Sequence, residues 1–200
     1  MAKISRRTKI IAAFIIVIGV GYGIAQFIQA ESNGIPAQFT AARTQGAIIA
    51  QTIVSTSNSS TATLAQISKY DQEGNYTDAL ASTTALIAQS ADLRTQAVDL
   101  SNQVSQMTQS LSGINSDAAR QAALEAISSR LALINELISY SNDLDKLLTT
   151  LQARFSGTPE SNATVQAIVD QINTDVNAIN NFNAQATQAM QQFDAIEAGK

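Results

Sequence analysis

The chain has 200 residues, a formal net charge of −4, no Cys, no His, no Trp and only two Pro. Without Cys there is no disulfide, thiolate nucleophile or thiolate ligand, and without His the commonest general base and the commonest zinc or iron ligand are missing. Lys3, Arg6, Arg7 and Lys9 precede any acidic residue, leaving eight basic against sixteen acidic residues beyond position 30, a balance that argues against nucleic acid as a partner.

Residues 1–9 read as a basic cytoplasmic stub, and residues 10–29 as a membrane segment. Positions 10–28, IIAAFIIVIGVGYGIAQFI, hold one amide, Gln26, and no charge. As a helix this stretch is about 29 Å long, close to the hydrocarbon thickness of a bilayer. Its Ile, Val and Phe residues, Ile10, Phe14, Ile18, Ile24 and Ile28 among them, favour insertion by roughly −0.3 to −0.6 kcal/mol each. The positive charges before it predict a cytoplasmic N-terminus and an extracytoplasmic remainder, periplasmic or at the cell surface.

A small-residue cleavage site follows Ile28-Gln29-Ala30, and a weaker one Gly23-Ile24-Ala25. The apolar run exceeds a usual signal-peptide core, so a retained anchor is the expectation. A secreted soluble bundle cut near Ala30 is the alternative. Gly19 and Gly23 form a GxxxG pair, which lets two membrane helices approach closely.

Residues 30–36, AESNGIP, form a short breaker-rich linker. The remainder, 37–200, is predicted to be an extracytoplasmic four-helix bundle. Gly74, Gly113, Gly157 and Gly199 divide it into segments of about forty residues, each glycine placed as a helix C-cap. Start signals follow: Asn75 with Asp78, Asn115 or Ser116 before Asp117, and Thr158-Pro159-Glu160.

Between these breaks the apolar period is helical. The first segment carries Phe39, Ala42, Gly46, Ile49 and Ile53, then a Ser/Thr-rich stretch predicted to kink or fray, then Leu64 and Ile67. The second carries a heptad seam through Leu86, Leu93, Leu100 and Met107. The third reads Leu124, Ile127, Leu131, Ile134, Ile138, then Leu144, Leu148, Leu151. The fourth includes Ile172, Ile179 and Phe193. The small residues on the seams predict close helix approach or a partly underfilled core. Four helices of about 50 Å with short connections predict an all-α, antiparallel up-down-up-down bundle behind a single transmembrane helix. Two helical hairpins completed by a second chain are the alternative architecture.

Residues 70–80, YDQEGNYTDAL, resemble the interhelix turn of tetratricopeptide repeats at Gly74, Tyr76, Ala79 and Leu80. The stretch does not recur, and its flanking helices are about twice a repeat's length. The opening KISRRTKIIAAF, with one membrane span and long helices after it, resembles bacterial chemoreceptor N-termini. That resemblance implies an external sensory bundle. The chain departs from it by lacking a second span and a cytoplasmic signalling part, so inward signalling of that kind is not expected.

No catalytic, cofactor or metal constellation stands out. Di-metal bundles need inward carboxylates and Glu-x-x-His pairs, whereas Glu125 and Glu136 are isolated, and Asp143 and Asp145 fall on different helix faces. Asn173, Asn177 and Asn180 make an amide stripe that reads as solvated surface. The expected function is therefore non-enzymatic: a membrane-anchored bundle with a structural or protein-interaction role in a cell-envelope assembly, through a protein partner or self-association. The alternative is a ligand-binding bundle like the chemoreceptors' external module. It calls for a cavity with Arg94, Arg120 or Arg130 pointing in. A dry core with apolar side chains left outward favours assembly.

Overall fold

The computed structural model describes residues 34–158 and 161–199. The expected membrane segment, with Ile10, Phe14, Ile18, Gly19, Gly23, Ile24 and Ile28, lies outside the described residues. No helix among the described residues is long and apolar enough to cross a membrane.

The described chain is all-helical. Four long helices run in sequence: α1 (Ala37–Glu73), α2 (Tyr76–Ser110), α3 (Asp117–Phe155) and α4 (Asn162–Ala198), with a 3-10 turn at Leu111–Gly113 before α3. Consecutive helices pack closely along their lengths, whereas α1 and α4 do not. At one end of the bundle these two helices are joined by long side chains. There the Phe39 and Phe193 rings lie 5.3 Å apart, and Arg43 reaches Asp194.

Local chemistry explains where the helices stop. Gly74 is left-handed (φ 74°), and the N–H groups of Gly74 and Asn75 return to the carbonyls of Asp71 and Tyr70. Gly157 (φ 94°) does the same for α3, with Thr158 N–H bonding Ala153 O. Both are Schellman closures, which only glycine adopts without strain. Asn75 accepts from the Asp78 N–H, and Ser116 from the Ala119 N–H, as their positions suggest.

Three boundaries differ from expectation. Helix α4 starts at Asn162, capped by Ser161 onto the Thr164 N–H, because Thr158 is already used in closing α3. Gly199 is right-handed (φ −83°). Gly113 has no positive φ; it is a glycine because a Cβ there would sit 2.6 Å from Pro36 Cγ. The Pro36 ring packs on this bare backbone beside Ile114, which is fully buried and plugs that end of the bundle.

The Ser/Thr-rich middle of α1 neither breaks nor ends the helix. Thr52, Ser60, Thr61 and Thr63 each donate to the carbonyl four residues earlier. Their hydroxyls are thereby satisfied inside the helix rather than competing with it.

One apolar cluster runs through the bundle, from Phe39, Ile114 and Phe193 at one end to Ile67, Leu151 and Val165 at the other. Leu86, Leu93, Leu100, Met107, Ile134, Ile172, Ile179 and Phe193 are all buried in it. Leu131 is a correction: it is 43 % exposed, and Leu124 on the same face is 42 % exposed. Helix α3 packs on both α2 and α4, so its buried face is broad. That face is centred on Ala126, Leu133 and Leu137, and at 100° per residue Leu131 falls well over a right angle away.

Candidate functional site

The arginines sort themselves by what they meet. Arg94 reaches Asn142 at the surface between α2 and α3. Arg120 donates to the Ile114 carbonyl and pairs with Asp117, holding the turn before α3. Arg154 joins the other end of the bundle, donating to Asn162 Oδ1 at 2.8 Å and to Asp71 Oδ2 at 3.2 Å, so one side chain links α3 to α4 and α1. Beside it Tyr76 stacks on Phe155, ring centroids 6.2 Å apart.

Arg43 is 7 % exposed and donates both Nη atoms to the two Asp194 oxygens at 2.7 Å. Its guanidinium lies 6.0 Å from the centroid of Phe193. A two-pronged bond of this kind, against an aromatic face, fixes both direction and distance. It spans the α1–α4 side, where the backbones stay apart.

Arg130 turns inward from α3 and is half-buried. Its Nη1 lies 3.6 Å from where a Cβ on Gly46 of α1 would be, with Leu100 and Gln103 of α2 equally near. Burial, and secondly the like charge of Arg43, bring its pKa down from 12.5 to about 10. It therefore stays protonated at neutral pH.

Polar groups also enter the interior near mid-length. The buried Ser141 hydroxyl donates to the Ser90 carbonyl across the α2–α3 contact at 3.1 Å. The Tyr140 hydroxyl faces Ser57, yet neither oxygen closes a well-formed hydrogen bond. Burial pushes the Tyr140 pKa up. One turn further along α3, Asp143 meets Asp175 of α4. Asp175 is 2 % exposed; its Oδ1 accepts from Gln171 at 2.9 Å and its Oδ2 has no partner. Burial above all, with Asp143 and Glu136 nearby, raises its pKa against the opposing Gln171 bond. No group of three or more acidic side chains suited to a metal ion occurs among the described residues.

Space between the helices is scarce. A cavity of about 20 Å³ lies among Leu64, Ile67, Leu147, Leu151, Phe155 and Val165, room for about one water in a nearly apolar lining. A polar trough on the outer α3–α4 face, edged by Glu125, Ser128, Gln185, Gln188 and Gln192, is open to solvent. In the amide stripe, Asn173 and Asn180 are half-buried and Asn177 is exposed.

The large apolar side chains left outward include Val98 on α2 and Leu124 and Leu131 on α3. Leu124, Leu131 and the half-buried Ile138 repeat every seven residues, so they share one face. Val98 follows Arg94 by one turn, and Arg94 points to α3. Sequence periodicity missed this outward face because it assigned Leu131 to the core. Comparison with family models, characterised proteins and solved structures finds no match to this chain.

Proposed function

We propose that the protein is a single-pass, membrane-anchored helical bundle that works extracytoplasmically by protein contact, pairing with a second copy of itself, and catalyses no reaction. The observation that carries this reading is the outward apolar stripe of Leu124 and Leu131, exposed beside a core that is otherwise filled. Leucines exposed in register on one helix face offer apolar area that a partner can cover. The choice of a second copy rests on the sequence of the anchor. The Gly19–Gly23 pair suits helix pairing in the membrane, and tethering in one plane raises the effective concentration of the bundles behind it.

The test is the double variant Leu124→Ser/Leu131→Ser in the full-length chain, held in a nonionic detergent. Surface polar replacements of this kind change stability by about 0.5 kcal/mol or less, so its melting temperature should match wild type. Chemical crosslinking should give a dimer for wild type and much less for the variant. A dimer yield unchanged by the variant contradicts the α3 face. A crosslinked product containing some other protein contradicts self-pairing.

The ligand-binding alternative draws on one specific observation, the inward Arg130.

A further inference from the structure

We infer that Asp143 and Asp175 form a pH-sensitive latch: the two carboxyl groups share one proton across the α3–α4 contact, and losing it loosens the pairing of these helices. This goes beyond a role in protein contact and holds whatever the outer face of α3 meets.

Asp175 stands on the buried face of α4, three residues after Ile172 and four before Ile179. It is 2 % exposed, and Asp143 of α3 is half-buried. Gln171 satisfies one oxygen of Asp175, donating to Oδ1 at 2.9 Å. The other, Oδ2, receives no hydrogen bond, although Asp143 lies within hydrogen-bonding reach of this carboxyl. Both facts hold together because two ionised carboxylates are acceptors only. One proton turns the facing acceptors into a donor and an acceptor, joined by a short charge-assisted bond.

No cation substitutes for that proton. The charged groups acting on Asp175 are Asp143 and Glu136, both acidic and both on α3. Tyr140, on the same stretch of α3, faces Ser57 of α1 instead. Lys146, one turn beyond Asp143, is exposed and belongs to none of the ion pairs among the described residues. On α4 itself Asp170 is exposed and accepts from Gln166. Arg94 of α2 is held by Asn142, and α1 does not pack closely on α4. Fully ionised, the pair sets two like charges side by side with Glu136 near, in a partly desolvated seam. Its stabilising contribution is complete below the ordinary carboxyl range and is lost as pH rises through the raised folded value.

The experiment follows the side-chain carboxyl carbons of Asp143 and Asp175 by NMR through a pH titration of the full-length chain in nonionic detergent, with thermal melts alongside. In wild type both resonances should respond to the same two proton losses, since a coupled pair titrates as a unit. Asp143→Asn replaces the shared proton with a permanent amide donor. The Asp175 midpoint should move down, and the variant should melt about 3 °C above wild type at about pH 8, with the difference vanishing at about pH 4. Asp145→Asn removes an equal charge from another face of α3 and should change neither reading. An Asp175 midpoint unmoved by Asp143→Asn means that burial alone holds the proton, and overturns the latch. So does a wild-type chain in which each resonance follows one independent step, a result that needs no variant to fold.

Discussion

Asp175 is the residue whose charge state the fold controls most directly. Burial first, then Asp143 and Glu136, raise its pKa, while Gln171 pulls the other way. The folded chain keeps a proton there at pH values where the unfolded chain has released it. The stabilisation is complete below the ordinary carboxyl value of about 3.9 and is lost as pH rises through the folded value. The bundle should therefore melt higher just below that window than above it, as far as Asp175 decides. Asp175→Asn keeps the Gln171 contact and removes the charge. Circular dichroism melts at pH 7 should show it about 3 °C above wild type, with the advantage shrinking on acidification. An Asn variant less stable than wild type at pH 7 would mean that the carboxylate is partnered after all. No sequence pattern announced this residue: a lone Asp between Ile172 and Ile179 gives no sign that its face is covered by α3.

At the scale of the helices, caps were legible and faces were not. Asn75–Asp78, Ser116 and the two left-handed glycines could be read because a cap is a local hydrogen-bond event between near neighbours. The α4 start was misplaced because two signals competed for Thr158, and closing α3 used it. Gly113 could be seen as a breaker, but its reason, the Pro36 ring, comes from the other end of an antiparallel pair. The α3 face was misread at Leu131 because the buried stripe there is carried by alanines: Ala119, Ala122, Ala123 and Ala126 are core while Leu124 is not. Size misled where close helix approach ruled.

The α1–α4 side poses the matching energetic question. Its backbones stay apart, so side-chain pairs such as Arg43–Asp194 and Phe39–Phe193 matter to that contact. Asp194→Ala should leave the nearly buried Arg43 charge without its two charge-assisted bonds, at a cost of about 2–3 kcal/mol. Urea unfolding should then show a lower midpoint with little change in slope. A change within about 0.5 kcal/mol would show that the pair is only a surface contact.

At the scale of the molecule, the four-helix arrangement follows from period, breaker spacing and loop length. Function was less legible. Composition spoke only of which side chains are missing, whereas the outward Leu124–Leu131 stripe depends on which way a helix turns. The bundle's end that carries Ile35, Pro36, Ile114 and Phe193 is the end nearest in sequence to the proposed anchor.

The most direct measurement places a photo-crosslinking amino acid at position 131 of the full-length chain in native membranes and weighs the product. A tethered, self-pairing bundle gives a membrane-fraction adduct of two chains, each intact from Met1. A soluble, unadducted chain beginning at Glu31 would contradict it.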